Sequence, residues 1–571
     1  MQPKARKWFW PCGVFLFVRS WRGAPRLVKS GWYGKVRPYE QYGQNVSMRE
    51  TWEPDAAEVA ALVARRQEVL HQPTAAGMAE VCAALCHAGR NRDAVSLALE
   101  VVAAHPHNAP LVLAAADVMA HHTPRLDIVV ALLRQVVALE PHNLAYAVRL
   151  AAALVEQGDV AGGCALYEEV MARAPAQRPV VGQNLAATLL RVGRPMEALH
   201  LLYTLVAEGP PDAALLATMG AALVRLNRSG EALLWYQQAL ELEPHNTTTA
   251  LNYAFALLKA GQYGKGWAWF AHRPPQTNGL THWLASVPQL QRDDVAQANL
   301  AGKKVVLYQE QGFGDTLQFI RFAAGLVGLG AQVSIATYPM LVRLLAMSFP
   351  SMTVCSLPDM DRNARYDYAL PVPYLPSVMG MQTAADIPAT VPYLRADPAD
   401  VARFAALLPA GRPRIGLVWS GERRGTGRDV LADQLRSTTL EVMAQALTPV
   451  DATLVSLQFG APRADLAAWH GQPIFDPMEH VQDMADTAAI MDNLDLIISV
   501  DTSPLHLAGA LGKSVWMVSR WDACWRWGDA GEQTPWYPTM RIFRPQERTF
   551  GPVLQQVGAA LQTWVATIRR G

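Results

Sequence analysis

Two stretches of the chain combine residue types that phosphate and acid–base chemistry require. The first is Asp501-Thr502-Ser503-Pro504-Leu505-His506, which places a carboxylate, two hydroxyls and an imidazole just after an apolar run. If a helix starts there, its free N–H groups and the hydroxyls form an anion site suited to a diphosphate. His506 lies four residues after Thr502 and three after Ser503, so on a helix it shares the face that looks at the ligand. The competing reading is plain capping by Asp-Thr-Ser, with a structural histidine. The second stretch is Gln311-Gly312-Phe313-Gly314-Asp315. Gly312 and Gly314 admit close backbone approach, and Asp315 could accept the proton of an attacking hydroxyl. The alternative for Asp315 is a helix N-cap. No third glycine completes G-x-G-x-x-G, so a Rossmann dinucleotide site has little support here.

Both stretches need strands behind them. Leu496, Ile497, Ile498 and Val500 form a continuous apolar run of the kind a parallel sheet buries on both faces. Pro504 suits a first helical turn, and a second buried strand ends near Val518. Upstream, Val305 to Tyr308 reads as a strand, Thr316 to Leu329 as a helix, Val333 to Ala336 and Met352 to Cys355 as further strands, and Met340 to Met347 as the helix between them. After a Pro- and Asp-rich linker near Pro392 to Pro413, strands restart at Arg414 to Trp419 and Thr453 to Leu457. This alternation predicts two doubly wound α/β lobes, with a ligand cleft outside the carboxyl ends of the strands.

The amino-terminal half has a different period. Prolines recur at 106, 141, 175, 210 and 244, at intervals of 34 or 35 residues, and Gly158, Gly193, Asn227 and Gly261 keep the same register. A 34-residue period is that of tetratricopeptide helix pairs, and about six units fit between Gly77 and Pro274. Such a solenoid commonly holds a peptide or protein on its concave face; a purely scaffolding role is the alternative. The repeated Pro-His-Asn places His107, His142 and His245 in inter-repeat turns rather than in a metal site.

Composition excludes several classes. The chain has 571 residues, 17% charged, with a formal net charge of +1, which argues against broad capture of nucleic acid. Its six cysteines lack a C-x-x-C pair, which points to a reducing compartment. The first 50 residues hold ten Lys or Arg against two Glu, and their apolar run from Trp8 to Val18 is too short to span a bilayer. Residues 1–47 are expected to be a basic, disordered extension, with a membrane-surface arm as the alternative. No other stretch has the length and purity of a transmembrane helix.

EQGFGDTLQFIRFAAGL, GLVWSG, VSLQFG, DTAAIMDNLDLIISVDTSPLHLAGALGKSVWMV and WRWGDAGEQTPWYPTMRIFRP together resemble the bacterial tetratricopeptide-repeat glycosyltransferases. Their carboxyl half is similar to the family 9 lipopolysaccharide heptosyltransferases. The resemblance implies a tetratricopeptide solenoid over 48–285, then a two-lobed GT-B fold with an acceptor lobe at 286–398 and a nucleotide-sugar lobe at 399–571, closed by a carboxyl-terminal helix. It implies inverting, metal-independent transfer without a cofactor, from a nucleotide-diphosphate sugar to a glycan or protein hydroxyl, in the cytoplasm or at the inner-membrane periphery. By resemblance Asp315 is the base. Gly312, Gly314, Ser420, Gly421, Gln458, Asp501, Thr502, Ser503 and His506 form the donor site, with Asp501 fixing the turn. Charge on the leaving diphosphate would be met by helix N–H groups and by Arg423, Arg424, Arg428 or Arg436, the last first. Trp521, Trp525, Trp527, Trp536 and Tyr537 are expected to pack rather than to stack on a sugar. The loop from Glu422 to Leu435 is longer and richer in Arg than in the heptosyltransferases, and Pro504 departs from their usual residue. An interaction protein with a silent GT-B-like half is the alternative from another class.

Overall fold

The computed structural model describes residues 56–568 apart from 124, 274, 277, 298, 299, 412 and 423–434. The basic extension 1–47 and the arginines Arg423, Arg424 and Arg428 lie outside them. The described residues form two compact units that divide between Pro210 and Pro211.

Among the described residues six helix pairs follow one another, with first helices starting at Ala75, Ala109, Leu144, Arg178, Ala213 and Thr247. These starts keep the 34- or 35-residue period of the sequence. Five of the six pairs turn through a left-handed residue, and in four of them Gly89, Gly158, Gly193 and Gly261 supply it with φ of 72°, 108°, 81° and 78°. Asn227 does the same at φ 55°, the one non-glycine residue with positive φ among those described. The Pro-His-Asn segments are turns, as expected, and their asparagines have a further task. Asn108 Oδ1 accepts from Leu111 N–H at 3.2 Å and Asn246 Oδ1 from Thr249 N–H at 3.1 Å, each capping the next helix.

The period of the repeats and the packing of the chain do not end together. The last two pairs, Ala213–Leu242 and Thr247–Phe270, belong to the same compact unit as the sheets, not to the helices before Pro210. Leu251, Phe255, Leu258, Trp267 and Phe270 enter the same apolar core as residues of both sheets. Hydrophobic faces at helical spacing specify that each pair must be covered, but not by what.

Two parallel sheets complete the second unit. The first joins β1 (Lys304–Tyr308), β2 (Gln332–Thr337), β3 (Thr353–Ser356) and β4 (Tyr368–Pro371) in the order β3-β2-β1-β4. The second joins β5 (Arg414–Val418), β6 (Thr453–Ser456), β7 (Ile474–Phe475), β8 (Leu496–Val500), β9 (Val515–Val518) and β10 (Met540–Phe543) in the order β10-β9-β8-β5-β6-β7. The chain changes direction of growth between β1 and β4 in one sheet and between β5 and β8 in the other, the places where α/β sheets open a crevice. β4, β7 and β10 are short and were not legible as apolar runs. Every residue of β8 is buried, as the run Leu496 to Val500 predicted.

The Arg343 guanidinium, on the Pro339–Ser348 helix after β2, reaches across to the second sheet's side. It donates to both Asp483 oxygens at 2.8 and 2.7 Å and also pairs with Asp486 and Asp400. The carboxyl-terminal helix Phe550–Ile568 lies on the other face of the second sheet, its Val553, Leu554, Val557 and Leu561 buried with Leu440, Met443 and Leu447. No described helix is long and apolar enough to cross a membrane.

Gly558 marks the closest approach of that terminal helix, since a Cβ there would lie 2.1 Å from the Ala446 carbonyl oxygen. Backbone cannot yield as a side chain can, so Gly558→Ala must push two helices apart. It should lower the unfolding free energy by about 1–3 kcal/mol in urea titration without loss of helical circular dichroism. An unchanged midpoint would contradict this packing.

Candidate functional site

The helix after β1 runs Phe313–Phe319, with Gly312 as its N-cap residue. Asp315 is therefore the third helical residue and not the cap, and the helix begins three residues before the Thr316 start expected from sequence. Gly312 and Phe313 can open a helix because the preceding strand ends abruptly at Tyr308. The helix after β8 runs Ser503–Ala510 behind Thr502, whose hydroxyl donates to the Val500 carbonyl at 3.2 Å and makes no side-chain cap to the helix amides. Pro504 has no amide hydrogen, and the Leu505 and His506 amides donate to the Thr502 carbonyl at 3.1 and 3.4 Å, so the Ser503 amide is the first-turn donor that faces another acceptor. Asp501, Thr502 and Ser503 are half-buried, whereas everything from Pro504 to Ala510 is buried.

These two helices meet. A Cβ on Gly314 would lie 2.8 Å from His506 Cδ2, so the glycine is required by the imidazole edge opposite it. The glycine-rich turn of one sheet and the polar turn of the other thereby share one rim.

His506 is itself 5% exposed. Its Nδ1 shares a hydrogen bond of 2.9 Å with the Tyr537 hydroxyl, and its ring stacks on Trp527 at 5.5 Å. Nε2 stands 3.9 Å from Asp501 Oδ1. Burial first, then the nearby Arg526 and Arg321 charges, holds the imidazole pKa well below its usual 6.5. Burial likewise pushes the Asp501 carboxyl up, against the hydrogen bond from Trp527 and the arginines around it. With both shifts running against charge, the 3.9 Å contact is not a working ion pair. His506 is buried between the two turns, its ring edge against Gly314 and its Nδ1 on Tyr537.

The cation beside Asp315 is Arg526, which sequence reasoning passed over among the tryptophans. One guanidinium nitrogen is paired with Asp315 Oδ1, Nε donates to Gln318 Oε1 at 2.6 Å, and Nη1 touches Cys524 Sγ at 3.2 Å. Its plane lies over Trp525, 4.5 Å from the ring centroid. The Arg526 side chain is 9% exposed and that of Asp315 20%, so the carboxylate is the partner that reaches solvent. Asp315 Oδ2 faces Gly312, where a Cβ would be 3.5 Å away. Trp527 Nε1 donates to Asp501 Oδ2 at 2.9 Å. The one available signal was the alternation Trp525-Arg526-Trp527, a cation flanked by aromatic faces.

The remaining predicted residues lie at the carboxyl ends of β5 and β6. Gln458 Oε1 accepts from the Trp419 and Ser420 amides at 3.1 and 3.0 Å, and its Nε2 donates to the Ser420 and Phe459 carbonyls, both at 2.9 Å. Ser420 Oγ donates to the Gly421 carbonyl at 2.8 Å. Gln458 and Ser420 are buried with these bonds made, so they fix the strand ends rather than present free groups. Arg436 packs on Gly421, where a Cβ would meet its guanidinium carbon at 2.9 Å, and donates to the Glu422 carbonyl at 3.3 Å. The tryptophans pack as expected: Trp525 is buried between Phe255 and Phe319, and Trp536 is fully buried.

No protein-family model matches the chain. Protein FlbA of Caulobacter vibrioides is 24% identical over 515 residues, spanning 73% of this chain and 84% of the relative. Among solved structures, MamA from AMB-1 is 28% identical over 26% of this chain and 86% of its own, with a TM-score of 0.21. A thermophilic TPR protein of Thermus thermophilus is 18% identical over 32% of this chain and 100% of its own, with a TM-score of 0.26.

A neutral buried His506 gives the fold a pH dependence with a defined sign. Below about 6.5 the unfolded chain takes up a proton that the folded site refuses, so this residue lowers stability by up to about 1.4 kcal/mol per pH unit as the pH falls. His506→Gln should flatten the urea-unfolding profile between about pH 6.5 and 5 relative to the native chain. Equal slopes in both proteins would show that His506 carries its proton when folded.

Proposed function

We propose that the second unit is an inverting GT-B glycosyltransferase that moves a sugar from a nucleotide-diphosphate donor to a hydroxyl of a glycan or protein. The observation that carries this reading is the meeting of the Phe313–Phe319 and Ser503–Ala510 helices at Gly314 and His506, which sets a carboxylate and an uncapped helix start on one rim. The acceptor hydroxyl gives its proton to Asp315 Oδ2 while its oxygen attacks the anomeric carbon. The carbon–oxygen bond to the diphosphate breaks with its electron pair leaving on phosphate. The leaving charge is met by the Ser503 amide at the start of the Ser503–Ala510 helix, by the Thr502 and Ser503 hydroxyls and by Arg526. Arg526 takes the place first expected of Arg436, because it is the cation bonded to Asp315. The site needs no cofactor beyond the donor sugar in this reading.

The helix pairs fit the tetratricopeptide pattern, and we assign them the capture of a protein or peptide acceptor, or of a partner that brings the glycan. A cytoplasmic location, with contact at the inner membrane through the basic extension, accords with this role.

The second reading, an interaction protein with a silent α/β half, is favoured by the same Asp315–Arg526 pair, since one carboxylate oxygen is already engaged by the guanidinium. Thermal shift with UDP-, GDP- and ADP-sugars separates the two, because a ligand of the native state raises its apparent stability. On the transferase reading one donor class stabilises the protein. Asp315→Asn then keeps that shift but loses transfer by about a hundredfold or more, and Arg526→Gln weakens nucleotide binding about tenfold. Full turnover in Asp315→Asn would remove Asp315 as the base, and silence across the panel would leave the interaction protein.

A further inference from the structure

The segment that carries Arg526 and Trp527 is tied at both ends to the last two helix pairs. On one side, the Arg225 guanidinium pairs with Asp522, and Asn227 Nδ2 donates to the Trp521 carbonyl at 2.7 Å. On the other, the Ser229 amide and hydroxyl each donate to Asp529 at 2.8 Å, and Lys259 Nζ stands 3.5 Å from the same carboxylate. Lys259 Nζ also donates to the Val224 carbonyl at 2.9 Å and to Asn227 Oδ1 at 2.8 Å, so the two ties are joined through one ammonium group. Arg520 completes the cluster, its Nε 2.9 Å from Asp522 Oδ1.

Nearly all of this is buried: Lys259, Arg225 and Arg520 are 3–4% exposed, and Ser229 is 0%. Burying charge is costly unless it is paired, so a cluster of this kind in a helical repeat calls for a reason beyond helix packing. Asn227 points to one. The equivalent turns in four other pairs use glycine, which adopts a left-handed φ readily, whereas here an asparagine is kept in that conformation and its amide bonds both Lys259 and Trp521.

We infer that Asn227, Lys259, Ser229 and Arg225 are positioning residues, through which the last two helix pairs hold the 520–529 segment so that Arg526 meets Asp315 and Trp527 meets Asp501. The repeats are then part of the site's construction as well as a docking surface. The inference rests on the sugar-transfer reading only where nucleotide affinity is the readout.

The test uses the full chain with Asn227→Gly, Lys259→Met and Lys259→Arg. Asn227→Gly installs the residue that four of the other turns already carry, so the turn persists while both amide bonds vanish. Amide hydrogen exchange should rise about tenfold across 520–531 and also across 313–319, where Asp315 lies, while the helices at 213–225 and 247–259 keep their protection. Affinity for UDP, GDP or ADP, whichever the native chain binds, should fall about tenfold by calorimetry in Asn227→Gly and Lys259→Met, and recover in part in Lys259→Arg. Unchanged exchange in 520–531 would overturn the anchoring. Faster exchange there with 313–319 and affinity untouched would overturn the positioning role and leave a structural cluster. If the native chain binds none of the three nucleotides the donor reading falls, and exchange at 313–319 alone decides. Should Lys259→Met not fold, Asn227→Gly decides by the same readouts.

Discussion

Gly314 has no side chain, and the edge of the His506 ring occupies the volume that one would need. Much of the second unit is arranged around that contact. It brings the helix after β1 against the helix after β8, and so joins two separately wound sheets that share one apolar core. A close approach of this kind leaves no room for adjustment, because interiors are packed to crystal-like density and a single methyl group must displace something. The carboxylate of Asp315 is one residue away from the contact, and the helix start at Ser503 three residues away, so neither can be moved without moving the interface.

The polar groups at the rim are supported from behind. His506 is neutral and pinned by Tyr537, Asp501 is held by Trp527, and Asp315 is oriented by Arg526. Arg526 in turn lies against the Trp525 and Phe319 rings and is tied to Gln318. In a low-dielectric setting each of these bonds is stronger than it would be in water, and each would be costly to leave unmade. The arrangement is one of preorganisation, in which the open positions are few: Asp315 Oδ2, the exposed backbone of Gly312, and the half-buried Thr502 and Ser503.

Much of this was legible beforehand, for physical reasons that can be named. β8 is buried on both faces, so four of its five residues are apolar, and the one polar residue, Ser499, has its hydroxyl bonded to the Val500 carbonyl at 2.8 Å. The turns at Gly158, Gly193 and Gly261 need a left-handed residue, which only glycine provides cheaply, so the period of the repeats stands out in the letters. β4, β7 and β10 were missed because two to four residues at a sheet edge carry too little pattern. The cap assignment of Asp315 went wrong because Gly312 and Phe313 can start a helix as well as a turn, and local preference does not separate the two.

His506 shows where the letters stop. Its spacing from Thr502 and Ser503 placed it on the correct side of its helix, but whether that side meets solvent or another helix is decided by a residue almost two hundred positions away. The same holds for Arg526, whose partner Asp315 is 211 residues distant, and for Lys259, which answers to Asp529. The amino-acid sequence by itself determined the strands, the helix pairs and their turns, since these follow from periodicity and from backbone preferences that act within a few residues. Which charges are paired, which histidine is buried against another helix, and which helix pairs pack with the sheets were decided only by tertiary structure, because burial and electrostatic pairing depend on distance through space, and distance along the chain does not report it.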